Sequence, residues 1–425
     1  MIRFTPSPPK HKNKTGSLFS HLVCSGCGTL YPKGEVHTVC RQASCQRSLI
    51  AAYDLGQGFD RDLLPFRSAD MWRYAEVLPV ENESNIVSLC EGMTPLLKAR
   101  HLGAPYQLPF LFIKDESNNP TGSFKARGLC VAISKAKELG IKKCAIPTAG
   151  NAGGAMSAYA AKAGMEAHVF MPENTPEVFK AECRLFGATL TLIPGTILDC
   201  GQRVQEGQAR EQWFNMSTLK EPYRVEGKKT MGYELAEQLG WELPDVILYP
   251  TGGGTGLIGL WKAFNEMEKL GWIGRKRPRL VAVQASGCAP LVHAFQAGES
   301  MATLVADAHT IANGLCVPKP YADVLLLQIL RETGGWALAV TDAEIITALA
   351  EIARAEGLLV APEGAALWAA LKTLLAEGRV NREEKIVLLN TGSGYKYLEN
   401  IPTAAGILQH QLTPSPINGS QDRDA

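Results

Sequence analysis

Apolar and polar positions alternate between two periods along this chain. Short, almost wholly apolar runs recur: "LFIKD" (111–115), "CAIP" (144–147), "AHVFMP" (167–172), "LTLIP" (190–194), "VILYP" (246–250), "RLVAVQA" (279–285) and "KIVLLN" (385–390). Between them lie longer segments of helical composition. "FKARGLCVAISKAKELG" (124–140), "AGGAMSAYAAKAG" (152–164), "TPEVFKAECRLFG" (175–187) and "LIGLWKAFNEMEKLG" (257–271) each close on a glycine. Apolar runs of strand length alternating with helices predict an α/β fold with parallel sheets and right-handed crossovers. In such sheets ligands sit beyond the carboxyl ends of the strands. Four polar or glycine-rich turns follow strands: "ESNNPTGSFK", "PTAGNAGG", "TGGGTG" and "NTGSG". All four are expected on that one side. No solenoid-type repeat is present.

The ends differ from this pattern. Residues 1–18, with Pro6, Pro8, Pro9, Lys10, Lys12 and Lys14, read as a disordered leader, and residues 408–425 read as a disordered tail. The formal net charge of +1 across 425 residues favours neither nucleic acid nor an anionic membrane. No apolar run is long enough to span a bilayer, and the N-terminus lacks a signal-peptide core. Cytoplasm is the expected compartment, where the seven scattered cysteines (90, 130, 144, 183, 200, 288, 316) read as reduced, buried side chains.

Chemistry concentrates in the first turn. Asn119-Pro120-Thr121-Gly122 is a rigid turn, and Ser123 is placed to cap the helix that carries Lys125. A lysine in a first helical turn feels an unfavourable dipole and gives up its proton more easily. A free amine suits Schiff-base chemistry with an aldehyde cofactor, normally pyridoxal phosphate. Such a cofactor makes three further demands. Its phosphate needs backbone N–H groups at a helix N-terminus, offered by Gly252, Gly253, Gly254, Thr255 and Gly256. Its pyridine nitrogen needs a partner, offered by the hydroxyls of Thr391 and Ser393. Its ring oxygen can be reached by Asn151, and the N–H groups of Thr148, Ala149, Gly150 and Asn151 can form a nest for a substrate carboxylate. Each turn alone is a weak signal, but four after four strands are a strong one.

With these residues in hand, the chain resembles the fold-type II pyridoxal-phosphate enzymes, and specifically the threonine synthases. "NPTGSFKARG" resembles the family's lysine motif, "TAGN" its asparagine loop, "TGGGTG" its phosphate loop and "NTGSG" its pyridine-nitrogen turn. "EPYRVEGKKTMGYELAEQLGW" (221–241) resembles the segment that re-enters the large domain. The resemblance covers about residues 20–400. It implies two open, parallel-rich sheets wrapped by helices, with the cofactor between domains. The large domain would take residues 61–125 and 221–407, and the small domain residues 126–220. It also implies a lyase that turns O-phospho-L-homoserine and water into L-threonine and phosphate, and, by analogy of fold, a homodimer. By position, Arg224 would bind the substrate phosphate, aided by Ser217 in "NMSTLKE". The chain departs from the family at Ala126, where many members have aspartate, and at Ala149, where many have threonine. A serine/threonine dehydratase or a β-replacement enzyme of the same fold is the alternative. A retired homologue acting through its N-terminal segment is a second one, opposed by intact Lys125, Asn151 and Thr391.

That segment, residues 19–60, holds Cys24-x2-Cys27 and Cys40-x4-Cys45. Four thiolates at this spacing suit a structural zinc ribbon or, equally, four packed cysteines without metal. Residues 22–55 lack a basic stripe with aromatics, so nucleic acid is not the expected partner; a small amino-acid substrate is.

Overall fold

The computed structural model describes residues 16–399. The expected tail, and the expected leader up to residue 15, lie outside the described residues. Order begins early: the Leu18 N–H donates to the Glu76 carbonyl at 2.8 Å. Strands β1 (Phe19–Cys24), β2 (Leu30–Pro32) and β3 (Leu49–Tyr53) then form an antiparallel sheet in the order β2-β1-β3. A register shift between Phe19 and His21 interrupts the strand alternation, so Phe19 and Leu22 both turn inward and, with Leu49, join one apolar cluster with Leu129 and Ile133 of the helix Lys125–Glu138. Tyr53 pins the third strand by donating to Glu226 Oε2 at 2.8 Å.

Two larger sheets follow. The chain lays down β4 (Leu96–Lys98) and β5 (Leu111–Asp115), then leaves to build β6 (Lys143–Pro147), β7 (Glu166–Pro172), β8 (Thr189–Ile193) and β9 (Phe214–Asn215). These last four form a parallel sheet ordered β8-β7-β6-β9. It returns with β10 (Val246–Pro250), β11 (Arg279–Ala285), β12 (Trp336–Val340) and β13 (Ile386–Asn390). The completed six-stranded sheet runs β12-β11-β10-β13-β5-β4, and only β4 is antiparallel. Strands β10 and β13 are buried at every position, which is why their sequences are continuous apolar runs rather than alternating ones. Strand order reverses around β10, β13 and β5, so their carboxyl ends open a crevice.

The helices Lys125–Glu138 and Arg224–Gln238 cross in that region at unusually close range. A Cβ on Gly128 would lie 2.8 Å from the Arg224 carbonyl, and one on Gly227 would lie 1.9 Å from the Arg127 carbonyl. Two glycines thus let one backbone rest on the other, and Arg224 arrives beside Lys125. Below the crossing, Arg127 bonds Glu116 at 2.6 Å and Glu234 at 2.6 Å, and Lys114 bonds Glu234 at 2.8 Å, all fully buried. Removing one member would strand a buried charge at a cost of about 3–5 kcal/mol, so the network fixes the first turn of the lysine helix.

Candidate active site

A cavity of about 690 Å³ opens at the crevice. All four turns reach it: Phe124 and Lys125, Thr148 to Asn151, Gly252 to Thr255, and Thr391 with Gly392. The turn before Lys125 is strained, with Thr121 at φ +59° and Gly122 at φ +64°. It is stitched to the Thr391 turn: the Phe124 N–H donates to Thr391 O at 3.0 Å, and the Ser393 N–H donates to Gly122 O at 2.9 Å. This stitching sets Lys125 against Thr391.

The expected Ser123 cap needs correction. The residue preceding the helix is Phe124, already in helical φ/ψ and without a side-chain cap bond. The Ser123 hydroxyl accepts only a long bond, 3.4 Å, from the Lys125 N–H. Lys125 itself is half-buried, and its amine lies 4.6 Å from the Phe124 ring centre. Burial first, and the Arg224 charge second, lower its amine to about 8, while Glu363 opposes the shift.

Gly252, Gly253, Gly254 and Thr255 form a continuous wall leading into the helix Thr255–Lys269, whose preceding residue, Gly254 at φ +76°, carries no side-chain cap bond. The loop is glycine because nothing larger fits. A Cβ would meet Gly314 O at 2.2 Å from Gly252, Thr218 Cγ2 at 2.7 Å from Gly253, and Leu326 Cδ1 at 2.4 Å from Gly254. Gly256 is outside the lining; its Cβ would strike the Tyr249 hydroxyl at 2.2 Å. Opposite, Asn151 opens the helix Asn151–Ala163, donating to Tyr397 Oη at 3.2 Å and accepting from Lys396 Nζ at 3.2 Å. The Gly150 N–H turns back on the Thr148 hydroxyl at 3.2 Å, with Ala149 between them on the wall. Ser217 also lines the cavity, its hydroxyl donating to Asn215 Oδ1 at 2.5 Å. Ala126, by contrast, faces the apolar core.

Arg224 is not among the lining residues. It lies buried behind the Met216–Ser217 wall, donating from Nη1 to Met216 O at 2.6 Å, and its Nε has no partner. Lys228, one turn on, is buried too; its amine donates to the Phe124 carbonyl, and burial, Lys125 and Arg224 together hold its pKa well below the ordinary value.

Sequence reasoning missed Glu363. This buried carboxylate lines the cavity at the start of the helix Pro362–Ala376, accepts from the Gly314 N–H at 2.7 Å and from Tyr397 Oη at 2.9 Å, and leaves Oε2 without a partner. Burial raises its pKa. "APEGA", with proline at the helix start and an acid behind it, was the available signal.

The four N-terminal cysteines come together, and none lines the cavity. Of the seven scattered ones, Cys90 is exposed and Cys316 half-buried, correcting the expectation of uniform burial. Both lie outside helices and strands, and Cys316 lines the cavity. Among the described residues no helix is long and apolar enough to cross a membrane.

Residues 87–392 match the family model for pyridoxal-phosphate dependent enzymes. The threonine synthase of Methanocaldococcus jannaschii is 36% identical over 88% of this chain and 92% of that protein. That of Methanosarcina acetivorans is 36% identical over 88% of this chain and 91% of its own length. The chain belongs to the pyridoxal-phosphate dependent enzymes and, among them, to the threonine synthase family. Its fold is that of the solved tomato threonine deaminase isoform 2, with a TM-score of 0.63 and 20% identity, covering 82% of this chain and 95% of that one. Pyridoxal phosphate is therefore the cofactor of this α/β, fold-type II chain.

The residues present fit that group. An amine that loses its proton near neutrality faces a glycine cradle that any Cβ would fill, at a helix N-terminus with no side-chain cap.

Proposed function

We propose that this chain converts O-phospho-L-homoserine and water into L-threonine and inorganic phosphate. The charge balance beneath the cavity carries the reading. Arg224 and Lys228 are buried behind its wall, and among the described residues neither has a carboxylate within ion-pair distance. The nearby acids do not compensate: burial pushes Glu221 up to about 7 and raises Glu363. Lys220 adds an amine at the lining, while Lys319, also on the lining, is paired with Asp323 at 3.7 Å. A buried guanidinium without an ion-pair partner, beside two acids that burial holds toward their neutral forms, suits anionic ligands, here two phosphates and a carboxylate.

When bound, pyridoxal phosphate supplies an aldehyde that captures amino groups and a ring that accepts electrons from adjacent carbons. In this reading Lys125 holds the aldehyde, the Gly252–Gly256 loop the phosphate, Thr391 the ring nitrogen and Asn151 the ring oxygen. Thr148, Ala149 and Gly150 receive the substrate carboxylate. Lys125 Nζ, as the free amine, would take the Cα proton and serve the exchanges that follow. Cβ loses a proton, phosphate leaves Cγ with the bonding electron pair, and Cγ gains a proton. The oxygen of water then joins Cβ, and Cα regains its proton. In this reading Arg224, whose Nε is unpartnered behind the Met216–Ser217 wall, turns toward the cavity and, with Ser217, steadies the leaving phosphate.

Phosphate release from O-phosphohomoserine, run beside ammonia release from serine and threonine, tests the assignment. A higher kcat/KM for the phosphorylated substrate is expected. Faster turnover of serine or threonine would make the chain a dehydratase.

Two further outcomes follow. Gly253→Val puts methyl groups where Cβ alone would be 2.7 Å from Thr218. Cofactor affinity, measured by equilibrium dialysis, should fall at least about tenfold, a loss of ~1.4 kcal/mol. Unchanged affinity would remove the loop from the phosphate site. The pH dependence of reconstitution tests Lys125. Below about 8 its amine is protonated and has no lone pair; above that value it is free. The rate at which apoprotein regains visible absorbance should therefore rise with pH through a midpoint near 8. A midpoint at the ordinary lysine value of 10.5 would contradict the burial argument.

A further inference from the structure

The four N-terminal sulfurs lie within 4.8 Å of one another. Cys24 Sγ is 3.4 Å from Cys45 Sγ, and Cys27 Sγ is 3.6 Å from Cys40 Sγ. A disulfide needs about 2.0 Å, so these are not bonded pairs. A tetrahedral zinc with Zn–S bonds of about 2.3 Å needs sulfurs about 3.8 Å apart, a value between the 3.4 and 3.6 Å pairs and the 4.8 Å limit of the set. The first knuckle is preformed. The Gly26 and Cys27 N–H groups point at Cys24 Sγ from 3.4 and 3.5 Å, and a Cβ on Gly26 would crowd Cys45 Sγ at 3.0 Å. Tyr31 Oη donates to Cys40 Sγ at 3.2 Å, a bond that suits a thiolate ligand.

The two residues after the last cysteine touch the cavity wall. Gln46, directly after Cys45, is held at φ +49°, a strained value for a side-chain-bearing residue. Its carbonyl accepts from Tyr321 Oη, and Arg47 reaches Asp323 at 3.6 Å. Tyr321 lines the cavity, with Lys220 5.4 Å from its ring centre. Asp323 Oδ2 accepts from the Ala302 N–H at 3.0 Å.

We propose that Cys24, Cys27, Cys40 and Cys45 bind one structural zinc ion as a tetrathiolate, and that this metal clamps the segment 313–323 of the cavity wall through Gln46 and Arg47. The four thiols lose their protons on binding and the ion keeps its oxidation state. The test uses the full-length protein with its cofactor. Elemental analysis should find about one zinc per chain, and growth on cobalt should give the strong thiolate-to-cobalt charge-transfer bands of a tetrahedral site. Cys27 is exposed, so Cys27→Ser leaves no buried hole; it should lose the metal. Removing zinc from folded wild type with a chelator under reducing conditions, which leaves the Cys316 thiol unmodified, guards against misfolding of the variant. In both, amide exchange across 313–323 should quicken about tenfold or more, while 148–155 on the opposite wall stays unchanged. Arg47→Ala should quicken the same segment with zinc retained, and Arg47→Lys should restore part of the protection. Less than about one tenth of an equivalent of zinc or cobalt, or zinc retained by Cys27→Ser, overturns the site. Unaltered exchange in 313–323 after metal loss overturns the clamp.

Discussion

Lys125→Ala is expected to be colourless and inactive. A lysine-bound pyridoxal phosphate would absorb in the visible, and Lys125 is the amine the cavity lowers to about 8. Loss of its proton-transfer role alone should reduce kcat by roughly 10²–10⁴-fold, and loss of covalent capture adds to that. The fold should survive, because Lys125 is half-buried at a cavity wall and takes no part in the Arg127–Glu116–Glu234 network. Lys228 is the rival amine, close by and also held below the ordinary lysine range. Borohydride reduction and peptide mapping separate the two. Label on Lys125 is expected, and label on Lys228 would reassign the site.

Arg224→Leu should cost at least about 30-fold in kcat/KM for O-phosphohomoserine, and up to several thousand-fold, from a loss of about 2–5 kcal/mol for a desolvated charged contact. Leucine is the right comparison because lysine would keep the charge and lose only the fork. Cofactor affinity should hold, since the glycine loop, Thr391 and Asn151 are separate from this side chain. One secondary effect follows from the geometry. Arg224 depresses the Lys125 amine, so its removal should move the reconstitution midpoint upward from about 8. Wild-type kcat/KM in Arg224→Leu would leave the guanidinium a structural role, through its bond to Met216 O.

Much of this was legible in the sequence because the signals are local. Apolar runs gave β5, β6, β7, β8, β10, β11 and β13, and the four turns after β5, β6, β10 and β13 were readable as one side of two sheets. What escaped depends on distant pairing. The backbone bonds joining the Lys125 turn to the Thr391 turn link segments far apart in the sequence. Glu363 enters the cavity only because its helix packs beside β13 and Gly314 approaches within hydrogen-bonding distance. The Ser123 cap failed because Phe124 already adopts helical angles, leaving the serine one position too early. Gly128 and Gly227 carry no local signal in the sequence, yet their contact brings Arg224 to the lysine. The short edge strand β4, antiparallel and three residues long, carried no periodicity to detect.

The most direct test follows oxygen. Turnover of O-phosphohomoserine in ¹⁸O-labelled water, with both products analysed by mass spectrometry, reports which bond breaks and where water adds. Cleavage at Cγ–O and addition at Cβ predict one labelled oxygen in the threonine hydroxyl and none in the released phosphate. Label in phosphate beside unlabelled homoserine would mean simple phosphoester hydrolysis, and 2-oxobutyrate in place of threonine would mean elimination without water addition; either result contradicts the account.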